Sequence, residues 1–387
     1  MADPLLVLAF LLAALLSLGT SWVLVSRLER VGFRLGLTEA LLGVLAALAA
    51  DAPEITASVT ALAGGHARIG AGVVIGSNVF NLAALLGLGA VIAGEIALHR
   101  RVIVLEGIVA LWIAGTCVAV VVGAIPAAAG LVIVLVMLVP YLGILGVKHD
   151  RLSRLGLPDA WARWLRGAIL EEEQELEVAI HPRRGRTPDA VIAAGAVLVV
   201  VGASIVMEQA ASRLGTRHGV PDIVVGGLVL AAVTSLPNAV AAVYLARRGR
   251  GAATLSTAMN SNALNVAVGL LLPATIVGLG APSTSATLVV VWYLGLTVLA
   301  LGCAYAGSGL LRGEGILIIG AYLAFAGLIL TSVYASTVGM VLGTTLPVVL
   351  GAGAARWMMW RRGHAPSAHA SLRRAPTTDA RRSRGSS

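Results

Sequence analysis

Ala49-Ala50-Asp51-Ala52-Pro53-Glu54, followed by Ile75-Gly76-Ser77-Asn78-Val79-Phe80-Asn81, returns later as Val233-Thr234-Ser235-Leu236-Pro237-Asn238, followed by Met259-Asn260-Ser261-Asn262-Ala263-Leu264-Asn265. The spacing is kept. Pro53 to Ser77 is 24 residues, as is Pro237 to Ser261, and Glu54 to Asn81 is 27, as is Asn238 to Asn265. Each copy sets polar side chains beside a proline inside an apolar stretch. A duplication of that kind is the sequence form of a transporter built from two repeats, with discontinuous helices around a site at the middle of the membrane.

Composition agrees. Hydrophobic residues make up 58% of the chain and charged residues 12%, against roughly 25% charged in soluble domains. Apolar runs of about 20 residues, each long enough to span a hydrocarbon core, recur along the whole length. The opening Met1-Ala2-Asp3-Pro4 lacks the basic residues of a secretory signal, so its apolar run reads as a first span. Cys117 and Cys303 both fall inside predicted spans and read as buried small hydrophobes.

The fold class expected is an all-α polytopic membrane protein. About eleven spans are predicted, near 4–26, 38–64, 69–94, 102–124, 127–147, 189–211, 221–246, 252–279, 285–307, 315–334 and 337–358. Of the 28 Lys and Arg residues, all but Arg68, Arg213 and Arg217 fall in loops on one side. That side is expected to be cytoplasmic, with the N-terminus outside and the C-terminus inside, at a cell (plasma) membrane. The turn at 64–68 then lies outside and the turn at 247–250 inside, so the two patterned hairpins enter from opposite faces. The chain divides into a first membrane half (1–147, repeat 36–94) and a linker loop (148–188). A second half (189–358, repeat 220–280) ends in an extra span, and a basic tail (359–387) expected to be disordered follows. The acidic run Glu171–Glu177 in the linker lacks the ladder of a calcium-binding loop and reads as a solvated linker helix. The net charge of +9 lies mostly in loops and tail; with no aromatic or fold signature beside it, it points to anionic lipid and not to nucleic acid. No feature specifies an oligomer.

The chemistry follows from cost. Asp51 and Glu54 are two carboxylates within one predicted span, and each costs about 2.5–3.5 kcal/mol to place at the bilayer centre. No Lys or Arg lies at their depth, so the expected partners are bound cations or protons: Asp51 and Glu54 are the candidate metal ligands, for Ca²⁺ or Na⁺. Around them stand the hydroxyls of Ser77, Thr234, Ser235 and Ser261 and the amides of Asn81, Asn238 and Asn265. These are hard oxygen donors suited to Na⁺ and Ca²⁺. Pro53 and Pro237 each free a backbone carbonyl one turn earlier, on Ala49 and Val233, which a cavity or an ion would satisfy. Asn78 and Asn262 are supporting residues that read equally as ligands or as interhelical glue. No cofactor is expected beyond the transported cations.

At these residues the chain resembles the sodium/calcium exchanger family of cation/Ca²⁺ antiporters. Pro-Glu followed by Gly-Ser-Asn-Val-Phe-Asn is similar to its first α-repeat, and Thr-Ser-Leu-Pro with Asn-Ser-Asn is similar to its second. The resemblance implies ten core helices in two inverted-topology repeats of five, here with one extra C-terminal helix. It also implies an ion site between the repeats and alternating access by sliding of the first helix of each half. By motif position it gives Glu54 and Asn81 ligand roles and Ser77, Thr234, Ser235 and Ser261 supporting roles. The chain departs from that pattern at Asn238 and Asn265, where members carry acids, and at Asp51, where a Ser is usual.

The function expected is a secondary active antiporter exchanging Ca²⁺ for Na⁺ or H⁺. A monovalent cation/proton antiporter on the same scaffold and a transport-dead paralogue are the alternatives. An intramembrane enzyme is disfavoured, because the spans carry no His-Glu-x-x-His helix, no Gly-x-Gly-Asp pair and no Ser–His pair at depth.

Overall fold

The computed structural model describes residues 2–146, 164–165, 167–168 and 186–334. The helices are α1 (Asp3–Arg34), α2 (Glu39–Ala50), α3 (Ala52–Ala63), α4 (Ala67–Ala93), α5 (Arg100–Val121), α6 (Ala127–Leu145), α7 (Thr187–Arg217), α8 (Asp222–Thr234), α9 (Leu236–Arg247), α10 (Gly251–Val277), α11 (Thr284–Gly307) and α12 (Arg312–Tyr334). Eight of them are long and apolar enough to cross a membrane. The bent pairs α2–α3 and α8–α9 raise the number to ten if each pair is one span. The expected eleventh span, the tail and nearly all of the linker loop lie outside the described residues.

Each bent pair breaks where the proline pattern predicts. The chain turns by 52° at Asp51 and by 46° at Ser235, and both joint residues have nearly the same backbone angles (φ −79, ψ −7; φ −83, ψ −2). The proline sits in the first turn of the helix that follows, where its missing N–H costs nothing. The duplication is visible in the backbone too. Gly65 and Gly249, and Gly94 and Gly278, all take positive φ. They lie at the separation, 184 residues, that divides Pro53 from Pro237.

α4 is the central helix, with 94% of its most apolar stretch buried, and α10 follows at 67%; α1 and α6, at 28%, lie outermost. α4 and α8 cross at glycines. A Cβ on Gly76 would stand 2.6 Å from Gly227 Cα, and one on Gly72 3.0 Å from Gly227 N. On the α8 side Gly226 is the residue that must lack a side chain, since its Cβ would stand 2.3 Å from Ile69 O, so glycines on both helices let the two backbones meet.

α1 and α7 run antiparallel against each other over most of their length. Arg217 bonds Asp3 at 2.7 Å, the Ser17 and Ser204 hydroxyls lie 3.2 Å apart, and Arg27 bonds Asp189 at 2.6 Å. Their outward faces carry exposed Leu8, Leu11, Leu15, Val191 and Leu198, which suits contact with hydrocarbon.

Two features depart from the all-helical expectation. Glu95–Ala97 and Gly309–Leu311 form a short antiparallel ribbon, in which the backbone after α4 and α11 satisfies itself. Three stretches also widen to π-helix: Leu82–Leu88 in α4, Val225–Leu230 in α8 and Asn265–Leu271 in α10. The first and third begin beside Asn81 and at Asn265, two of the polar residues singled out above. Such bulges often sit at functional positions.

Candidate cation site

The two joints and the polar faces of α4 and α10 bring almost all the expected residues into one buried network. Asp51, Glu54, Ser77, Asn81, Ser235, Asn238, Ser261 and Asn265 are all completely buried. Their donors converge on the two carboxylates from the second copy of the pattern. Asp51 Oδ1 accepts from Asn238 Nδ2 at 2.6 Å and from Ser261 Oγ at 2.6 Å. Glu54 Oε1 accepts from Ser235 Oγ at 2.5 Å, and Glu54 Oε2 accepts from Asn265 Nδ2. Each bond to a charged group is worth about 1.5–3 kcal/mol, so two per carboxylate offset the insertion cost. Asn81 Nδ2 closes the ring, donating to Ser261 Oγ and to Asn262 Oδ1, both at 3.1 Å.

Several oxygens of this network receive no hydrogen bond: Asp51 Oδ2, Ser77 Oγ, Asn81 Oδ1, Asn238 Oδ1 and Asn265 Oδ1. A buried acceptor without a partner costs about 1–3 kcal/mol. All of these atoms have lone pairs to offer, and their number approaches the six to eight oxygens of a Ca²⁺ shell. The asparagines are aimed. The nitrogens of Asn238 and Asn265 are held by Asp51 and Glu54, which leaves each carbonyl oxygen as the free end. Negative charge on the carboxylate polarises the amide that it binds and strengthens that oxygen as a ligand. Among the described residues no three His, Cys, Asp or Glu side chains cluster, so the formal charge comes from Asp51 and Glu54 alone and the other donors are neutral.

Three expectations need correction or refinement. Thr234 does not join the network, because its hydroxyl bonds Leu230 O at 2.9 Å and Ala231 O at 3.3 Å within its own helix. The Ala49 carbonyl freed by Pro53 is satisfied from within the protein, by Ser21 Oγ of α1, which donates to it at 3.3 Å. Asn78 and Asn262, open between ligation and glue, bond each other across the two helices. Each donates its side-chain nitrogen to the other's backbone carbonyl, at 3.1 and 3.2 Å, pinning α4 to α10. The oxygen of Asn78 also accepts from Asn265 at 3.3 Å. A cavity of about 580 Å³ lies apart from the carboxylates, between the start of α4, the α5–α6 turn and the end of α10; Arg68 is its charged lining residue.

Sequence reasoning missed a second polar cluster, in which Tyr141 ties Glu106 to Asn260. Asn260 stands within the quoted motif, but nothing in spacing shows which way it faces.

A family model described as "Sodium/calcium exchanger protein" matches residues 5–148 and 190–331. Among curated proteins, the rat sodium/potassium/calcium exchanger 3 is 34% identical over 80 residues, which is 21% of this chain and 13% of that protein. The bovine sodium/potassium/calcium exchanger 1 is 34% identical over 79 residues, 20% of this chain and 6% of that one. The chain thus aligns with only a small part of these longer relatives. Among solved structures, the H⁺/Ca²⁺ exchanger CAX superposes with a TM-score of 0.65 at 12% identity, covering 92% of this chain and 88% of that one. The sodium-calcium exchanger NCX_Mj superposes at 0.52 and 20% identity, covering 84% and 98%. Both likenesses concern the fold.

Proposed function

This chain belongs to the sodium/calcium exchanger family, and from that premise we propose that it is a secondary active antiporter that exchanges Ca²⁺ for Na⁺ or H⁺ at the site built by Asp51 and Glu54. One observation carries the reading: two carboxylates and a set of unpartnered acceptor oxygens are sealed together where two broken helices meet. The ligands in this reading are Asp51 Oδ2 and the side-chain oxygens of Ser77, Asn81, Asn238 and Asn265. Glu54, expected as a direct ligand, supplies charge through Asn265 in this reading because its two oxygens accept from Ser235 and Asn265. Ser235 and Ser261, also expected among the donors, hold the carboxylates.

Because every one of these side chains is buried, a cation reaches them only if helices move, which is the requirement of alternating access. The equal spacing of the joints and of the positive-φ glycines supports two repeats of five spans. The arginine distribution supports their inverted arrangement, with the N-terminus outside.

A second reading, exchange of a monovalent cation for protons, is favoured by one observation: with two carboxylates and otherwise neutral donors, the site holds less charge than an exchanger loading several cations at once would use.

The test is ⁴⁵Ca²⁺ uptake into Na⁺-loaded or acid-loaded proteoliposomes, with wild type and Glu54→Gln. Gradient-dependent uptake that the variant abolishes supports Ca²⁺ exchange through this site. Absence of uptake under both gradients, with ²²Na⁺ flux driven by a proton gradient, selects the second reading.

A further inference from the structure

Glu106 lies in the second turn of α5, about 9 Å from the helix start at 1.5 Å per residue, and is almost completely buried. Its Oε1 is 2.7 Å from the hydroxyl of Tyr141 on α6. The same hydroxyl is 3.0 Å from Asn260 Oδ1 on α10, and Asn260 Nδ2 donates to Ser256 Oγ at 2.9 Å. None of these groups belongs to the network around Asp51 and Glu54.

The tyrosine hydroxyl has one hydrogen and two close acceptors. Asn260 has committed its nitrogen to Ser256, so its oxygen faces Tyr141 and takes the hydroxyl hydrogen. The 2.7 Å contact with Glu106 then needs a hydrogen of its own, and the carboxyl group is the one that supplies it. We propose that Glu106 is a proton-binding site distinct from the cation site, and that its proton completes the chain Glu106–Tyr141–Asn260–Ser256 across α5, α6 and α10. When the proton leaves, the hydroxyl turns to the carboxylate and Asn260 Oδ1 loses its donor. Asn260 directly precedes Ser261, which bonds Asp51. Proton occupancy at Glu106 is therefore linked to the seating of the helix that carries half of the cation site.

Among the described residues, the helices packed against α5 are α6, α10 and α11, and the linker lies against its first turn at Gly167, beside Arg101. Tyr141 is the titratable residue of α6, α10 carries none, and α11 carries Tyr293, Cys303 and Tyr305. On α5 itself, Arg100 and Arg101 begin the helix and Cys117 lies three turns beyond Glu106. The inference is independent of which cation is exchanged.

The test is infrared difference spectroscopy on the full chain in lipid at neutral pH, comparing wild type, Glu106→Gln and Tyr141→Phe. Wild type minus Glu106→Gln is expected to show the carbonyl stretch of a protonated carboxylic acid. Tyr141→Phe keeps that acid and should move the band to higher frequency as its hydrogen bond is lost, which also preserves the test if the glutamine variant fails to fold. A wild-type difference containing only ionised carboxylate bands, or a band that Tyr141→Phe leaves in place, overturns the proposal.

Discussion

Asp51 and Asn238 face each other across 2.6 Å, and both reach Ser261 Oγ, which donates to Asp51 at 2.6 Å and accepts from Asn238 at 3.2 Å. The carboxylate and the amide are thus nearly interchangeable in place. Asp51→Asn alone removes one of the site's two charges and the free Oδ2. A unit charge about 4 Å away, at an effective dielectric of about 20, is worth about 4 kcal/mol per unit of cation charge. Taken as a floor for a divalent ion, and at 1.4 kcal/mol per factor of ten, this predicts a loss of about three orders of magnitude in Ca²⁺ affinity. The exchanged pair, Asp51→Asn with Asn238→Asp, restores the charge, the amide–carboxylate bond and the serine donor. Its affinity is expected to return to within about tenfold of wild type, a recovery of at least about 2.6 kcal/mol relative to Asp51→Asn at 1.4 kcal/mol per factor of ten. Calorimetric Ca²⁺ binding to purified protein reads the affinities, and ⁴⁵Ca²⁺ uptake shows whether transport returns with them. A double variant no tighter than Asp51→Asn would show that the charge must sit on the first broken helix, and would refute the argument from shared position.

Two further outcomes follow from the geometry. Gly76→Ala pushes a methyl group against the Gly227 backbone, so the protein should lose roughly 1–3 kcal/mol of stability or fail to fold in detergent. Gly143→Ala, which lies in α6 and meets nothing within 4 Å, is the control and should not lower thermal stability, since alanine favours a helix over glycine by up to about 1 kcal/mol. Thr234→Val keeps shape and removes a hydroxyl bonded only within its own helix; cation affinity should stay within about twofold, and a loss of tenfold or more in the same binding assay would put Thr234 back in the site.

What the sequence made legible was whatever has a linear signature. Prolines at equal spacing marked both joints, and carboxylates without cationic partners marked the centre. Serines and asparagines at helical spacing marked the donors. Rotation about a helix axis has no such signature. Thr234 and Ser235 are neighbours, yet one hydroxyl bonds its own helix and the other crosses to Glu54. Asn260 and Ser261 are also neighbours, and they serve different clusters on different sides of α10. The π-helical stretches beside Asn81 and at Asn265 change that rotation by widening the turn, and nothing in their Leu-, Ala- and Val-rich composition announces them. Ser21 is likewise a lone serine in an apolar helix until α2 is in place to offer its carbonyl.

The division of labour in the site also bears on how the protein is made. Asp51 and Glu54 are synthesised early, while the donors that hold them, Ser235, Asn238, Ser261 and Asn265, come from more than 180 residues later in the chain. At about 5–20 residues per second, the ribosome leaves two carboxylates without these partners for roughly ten to forty seconds. During that interval a nascent first half has reason to sit high in the bilayer, or to keep α2 and α3 near the aqueous boundary. It can settle to its final depth only when α9 and α10 arrive to meet it.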